Sequence, residues 1–131
     1  MAPRKKSDLL TPLETEIMKV LWETGPATVQ SVQQRLGRDL AYTTVQTMLN
    51  VLVRKKKARR TLKERAYYYR PGVKRDQVAG NAVKDLIDRL FGGSPENLVM
   101  SLLESRQLTP EKLARLQRML KTKETGDGDD K

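Results

Sequence analysis

Cysteine and histidine are both absent from the 131 residues. Without thiols there is no disulfide, thiolate metal site, iron–sulfur cluster or nucleophilic cysteine. Without imidazole there is no histidine general base and no histidine pH switch. Carboxylates remain, but no Asp-x-Asp-x-Asp-Gly loop arranges them for a hard cation. Neither a glycine-rich phosphate loop nor a Gly-x-Ser-x-Gly elbow is present. The chain is therefore expected to be no enzyme and to need neither cofactor nor metal. Long apolar runs are missing as well, since none approaches the roughly 20 residues that span a bilayer. The basic start, Met1-Ala2-Pro3-Arg4-Lys5-Lys6, is not followed by the apolar segment of a secretory signal. A cytoplasmic location is expected.

Acidic residues are scarce in one half only. The formal charge is +10, yet residues 1–75 hold 17 Lys/Arg against 6 Asp/Glu while residues 76–131 hold 9 against 10. The whole surplus sits on the first part, where it attracts a polyanion through release of condensed counterions.

That part reads as helices followed by a hairpin. Thr11-Pro12-Leu13-Glu14 predicts a capped helix start: Thr11 accepts from free N–H groups, Pro12 suits the first position, and Glu14 completes a capping box. Leu13, Ile17, Val20 and Leu21 form an apolar stripe, with Met18 as a gap-filler and Trp22 in the core, until Gly25-Pro26 stops the helix. A second helix is expected from Thr28, with Val29, Val32 and Leu36 inward and Gly37 closing it. The short connection to Tyr42 makes the second and third helices a helix-turn-helix.

The third helix has two opposed faces. At about 100° per residue, Val45, Met48, Leu49 and Leu52 fall on one side, and Thr43, Thr44, Gln46, Thr47, Asn50 and Arg54 on the rest. Gln46 and Asn50 can pair bidentately with adenine, and threonine can touch a thymine methyl. Lys55, Lys56 and Arg54 suit phosphates, which position without specifying. After the helix the period changes to 2, giving strands over 58–63 and 66–70 joined near Lys63-Glu64-Arg65, with residues near Ala27 able to add a third. Arg59, Arg60 and Arg65 fit either phosphate contact or a charged edge that blocks sheet aggregation. The phosphate role fits better, with Arg65 best placed for a minor groove. Of the tyrosines at 67–69, one is expected in the core and another, Tyr67, on a phosphate. Helix, basic hairpin and closing aromatic strand make a winged helix-turn-helix.

Beyond Pro71-Gly72, apolar residues recur at helical spacing in three stretches. Leu86 and Leu90 belong to the first, which ends at Gly92-Gly93; Leu98, Leu102 and Leu103 to the second; Leu113, Leu116 and Leu120 to the third. Three amphipathic helices in about 50 residues bury too little surface alone and need a partner. The expected organisation is a flexible basic arm at 1–8, a winged helix at 9–72, a three-helix dimerisation domain at 73–122 and a disordered tail at 123–131. The fold class is mostly α with a small β-wing.

Three motifs then stand out: Leu10-Thr11-x-x-Glu14-x-x-Ile17-Met18-x-x-Leu21-Trp22, Thr44-Val45-x-Thr47-Met48-Leu49, and Arg65-Ala66-Tyr67-x-Tyr69-x-Pro71. In this order and spacing they resemble the penicillinase repressor family of BlaI/MecI/CopY type, over roughly residues 9–121. The resemblance implies a homodimeric transcriptional repressor with a winged helix and a helical dimerisation domain. It implies a partly palindromic double-stranded DNA operator as partner. In the branch that regulates antibiotic resistance, a membrane sensor-protease pathway leads to cleavage within the dimerisation domain, at the position matching Ser101-Leu102 here. The copper branch uses a cysteine cluster, which this chain lacks. Relatives usually carry Lys-Gly after the third helix, where this chain has Lys55-Lys56-Lys57, so its end is expected without the easy left-handed residue. Two rival readings have less support: a winged helix that docks protein, and a regulator with a small-molecule pocket, whose polar groups are not interspersed in the C-terminal apolar stripes.

Overall fold

The computed structural model describes residues 9–129, and side chains through Glu124. The basic arm with Arg4, Lys5 and Lys6 lies outside the described residues. Six helices and one hairpin follow in order: α1 Pro12–Thr24, α2 Val29–Arg35, α3 Tyr42–Arg54, β1 Ala58–Lys63, β2 Ala66–Pro71, α4 Arg75–Leu90, α5 Pro95–Glu104 and α6 Pro110–Asp129. The mostly helical class with a small β-wing is the one the sequence predicts.

Local grammar sets the helix starts. The Thr11 hydroxyl accepts from the Glu14 N–H at 3.1 Å and Glu14 Oε1 accepts from the Thr11 N–H at 2.8 Å, a complete capping box. Thr28 caps α2 through the Ser31 N–H. Gln33 Nε2 donates to the Leu40 carbonyl at 2.9 Å, bracing the turn from α2 into α3. The hairpin is antiparallel, with Ala58 opposite Pro71 and Lys63 opposite Ala66. Its turn residues Glu64 and Arg65 have φ 51° and 70°, so two non-glycine residues hold the left-handed geometry that a two-residue turn demands. The third strand expected near Ala27 is a single bridge: Ala27 and Tyr69 exchange both backbone hydrogen bonds, at 2.9 and 2.8 Å.

One core joins these elements. Ile17, Met18, Val20 and Leu21 of α1 meet Val29 and Val32 of α2, Val45, Leu49 and Leu52 of α3, and Ala27, Ala58 and Tyr69. Each large member contributes about 1.5–3 kcal/mol by leaving water. Trp22 packs on the edge of this core and donates its indole N–H to the Val73 carbonyl at 3.0 Å. Gly72 suits a close approach: a Cβ there would lie 3.3 Å from the Lys56 and Lys57 backbone, a tight contact.

One compact unit ends at Val83 and another begins at Lys84, inside α4. The Trp22 indole ties Val73, just beyond the wing, to α1 within the first unit. Gly92 and Gly93, at φ 57° and 79°, carry the chain out of α4. Ser94 and Thr109 cap α5 and α6 through the N–H groups of Asn97 and Lys112. No residue of α4 or α5 is buried. Helix α6 runs to Asp129, past residue 123 where the sequence reading begins its disordered tail. Once a capped first turn exists, each further residue adds a hydrogen bond without the cost of nucleation. Among the described residues no helix is long and apolar enough to cross a membrane.

Candidate nucleic-acid interface

Helix α3 separates its faces as its sequence dictates. Val45, Leu49 and Leu52 are wholly buried, while Thr43, Thr44, Gln46, Thr47 and Arg54 are exposed. Burying the apolar side fixes the rotation of the helix, so a row of short hydrogen-bonding groups faces solvent. Such a row suits the edges of bases in a major groove.

The three lysines that follow α3 part ways. Lys55 turns inward, its ammonium 2.9 Å from both Glu14 carboxylate oxygens. Burial alone would raise the Glu14 carboxyl, but the Thr11 backbone N–H, the Lys55 hydrogen bond and charge, and the Thr11 hydroxyl outweigh it. The Glu14 pKa falls below the ordinary glutamate range. Lys55, expected on phosphates, is thus held at 19% side-chain exposure as the partner of a buried carboxylate. Lys56 is exposed and takes φ 64°. Its N–H donates to Val53 and that of Lys57 to Leu52, at 3.0 and 2.9 Å. This is the hydrogen-bond pattern of a glycine-ended helix, built with lysine where a Cβ is disfavoured.

The wing has an inner and an outer face. Tyr69 is buried, with its hydroxyl donating to Asn50 Oδ1 at 2.9 Å. Arg60 Nη1 donates to the same oxygen at 2.9 Å, and its guanidinium carbon lies 4.3 Å from the centre of the Tyr67 ring. Asn50, expected to read adenine, is therefore half-buried and engaged with the wing. Arg59 and Arg70 face each other across the strands, and Arg70 donates to the Thr61 hydroxyl at 3.0 Å. Arg65 is exposed at the hairpin tip. Among the described residues the ion pairs are Arg38–Glu16, Lys55–Glu14 and Arg89–Asp85, so Arg54, Lys56, Arg59 and Arg65 keep uncompensated charge.

The structure thus leaves Thr43, Thr44, Gln46, Thr47, Arg54, Lys56, Arg59 and Arg65 open to solvent and gives Lys55, Asn50 and Arg60 partners within the fold. Tyr67 is 43% exposed, although its ring carries Arg60. Sequence reasoning missed the Glu14–Lys55 and Asn50–Tyr69 contacts, because both join residues far apart in the chain. The one available signal for the first was an acidic residue on the buried side of α1.

In the C-terminal helices, eight of the eleven exposed large apolar side chains of the described residues lie on α4–α6: Val83, Leu86, Leu90, Val99, Met100, Leu116, Met119 and Leu120. Leu98, Leu102, Leu103 and Leu113 are half-buried, as is Ser101.

A model of the penicillinase repressor family matches residues 10–122. The transcriptional regulator BlaI of Mycobacterium tuberculosis is 36% identical over 123 residues, covering 91% of this chain and 88% of that protein. The penicillinase repressor of Bacillus licheniformis is 25% identical over 118 residues, 88% of this chain and 92% of that protein. Among solved structures, the Bacillus licheniformis BlaI monomeric form in complex with the blaP half-operator matches over 56% of this chain and 92% of that chain, at 27% identity and a TM-score of 0.47.

Proposed function

The chain belongs to the penicillinase repressor family, and from that premise we propose that it is a transcriptional repressor that binds double-stranded DNA as a homodimer. The observation that carries this reading is the exposed row Thr43, Thr44, Gln46 and Thr47 set over the buried Val45, Leu49 and Leu52. Gln46 and the threonines read base edges in a major groove. Arg54, Lys56 and Arg59 meet phosphates on either side, Arg65 reaches toward a minor groove, and Tyr67 adds a hydroxyl.

The second copy enters through the C-terminal helices. Side chains such as Leu86, Leu90, Leu116 and Leu120 are 38–72% exposed in the single chain, too much apolar surface to leave in water. A second copy of the same helices covers it and pairs two winged helices on a partly palindromic operator. Release follows cleavage between Ser101 and Leu102 within α5, at the end of a membrane sensor-protease pathway. A half-buried helical bond is reached only by local unfolding. The cut would separate the paired halves and leave each winged helix folded on a weak half-site.

The test is selection of duplexes from a random-sequence library by the purified full-length protein, followed by affinity measurement on the selected sequence. A two-fold symmetric preference supports the reading. Equal binding of selected and unselected duplexes rules it out.

A further inference from the structure

We infer that Asn50 is a positioning residue that clamps the wing to α3, and not a reader of bases. The inference rests on the proposed use of α3 and the wing as the DNA interface. The Asn50 side-chain oxygen accepts from Arg60 Nη1 and from the Tyr69 hydroxyl, both at 2.9 Å. Guanidinium can only donate, so the oxygen and not the amide nitrogen must face Arg60. Both lone pairs of that oxygen are then engaged. Bidentate recognition of adenine needs the same oxygen for the N6 amino group and the amide nitrogen for N7. Asn50 cannot hold the wing and read adenine at once.

The two donors sit opposite each other in the hairpin register, Arg60 on β1 and Tyr69 on β2. One carboxamide therefore grips both strands at a single rung. Tyr69 is buried and exchanges two backbone hydrogen bonds with Ala27, which makes that end of the clamp rigid. From Arg60 the contact passes outward to the Tyr67 ring. A lone two-stranded hairpin is marginally stable in water, so its orientation is set by its anchors, Ala27 beside β2 and Asn50 of α3 at the Arg60–Tyr69 rung. Cutting this clamp loosens the wing on its β1 side, and with it Arg59 and Arg65, while leaving Gln46 and the threonines in place.

The experiment begins with amide hydrogen exchange of β1 and β2 in the free full-length protein. Asn50→Ala should raise exchange by about thirtyfold or more, the low end of what one charge-assisted and one neutral hydrogen bond contribute together. Asn50→Asp keeps the acceptor oxygens and should restore protection, although it cannot donate to adenine N7. Tyr69→Phe, which keeps the buried ring, should raise exchange by a smaller factor and serves if Asn50→Ala does not fold. On a duplex selected by the wild-type protein, Asn50→Ala should weaken binding evenly across single base changes and erase the wing-side footprint. Its effect should be non-additive with that of Arg60→Met. Unchanged wing exchange in the alanine variant overturns the clamp. So does a loss of discrimination confined to one base pair with the wing footprint intact. If the wild-type protein selects no sequence, the DNA reading falls, and the exchange measurement still decides the clamp.

Discussion

Lys55, the residue after α3, holds Glu14, in the first turn of α1, with its ammonium 2.9 Å from each carboxylate oxygen. The start of one helix is thereby joined to the end of another, and the same carboxylate also accepts from the Thr11 N–H. Glu14→Ala would remove a capping partner and leave a lysine charge only partly exposed. A loss of about 2–4 kcal/mol is expected, read as a lower midpoint in urea unfolding.

The same pair gives stability a pH dependence of definite sign. The Glu14 pKa is lowered in the folded state, so its contribution is complete above the ordinary glutamate pKa of about 4.3. As pH falls from there through the folded value, the unfolded chain takes up the proton first and stability drops. Glu14→Gln should be less stable than wild type at neutral pH, with the gap narrowing in acid. A constant gap between thermal midpoints from neutral to acid pH would show that Glu14 is not responsible.

On DNA, Gln46→Ala and Lys56→Ala should separate specificity from affinity. The first should lose about 1–3 kcal/mol of discrimination at one base pair. The second should weaken all sequences alike and flatten the salt dependence by about 0.9 in log–log slope for each phosphate that the complex no longer neutralises. Anisotropy titrations over a range of salt and single-base variants would measure both. Equal loss of discrimination in the two variants contradicts the assigned faces.

Lys56 is also the place where binding and stability should oppose each other. At φ 64° its Cβ is unfavourable, and nothing in the helix-end hydrogen bonding needs its side chain. Lys56→Gly should stabilise the fold by up to about 1 kcal/mol while weakening DNA binding. Calorimetry and a binding titration on one preparation decide it; a glycine variant that melts lower removes the strain argument.

For the dimer, Leu86→Asp or Leu116→Asp in the full chain should yield monomers by sedimentation. Both positions are exposed in the single chain, at 38% and 42%, so a carboxylate is tolerated there until a second copy buries it. Operator affinity should fall about 10²–10⁴-fold as the tethered second half-site is lost. A variant that remains dimeric places the interface elsewhere.

Much of the architecture was legible because the relevant signals are local. Thr11 and Glu14 are three residues apart, and the buried and exposed faces of α3 follow from its own periodicity. The hairpin register follows from a two-residue turn between alternating strands. What could not be read were contacts made by packing angles. Asn50 and Lys55 look like members of one polar, basic surface until the wing and α1 are in place. Residues 55–57 lack glycine, yet the left-handed helix end forms there with Lys56. At α6, polar composition suggested an early stop, whereas helix propagation carries it to Asp129.

Trp22 is the chain's one tryptophan, and its indole is fastened to the Val73 carbonyl just beyond the wing. The protein therefore carries a built-in optical label at the point where the chain leaves the hairpin. Selective excitation of that indole senses whether the segment after β2 stays docked on α1, and α4–α6 contribute no competing emission. Melting of the first unit can be followed in the intact protein without adding a dye.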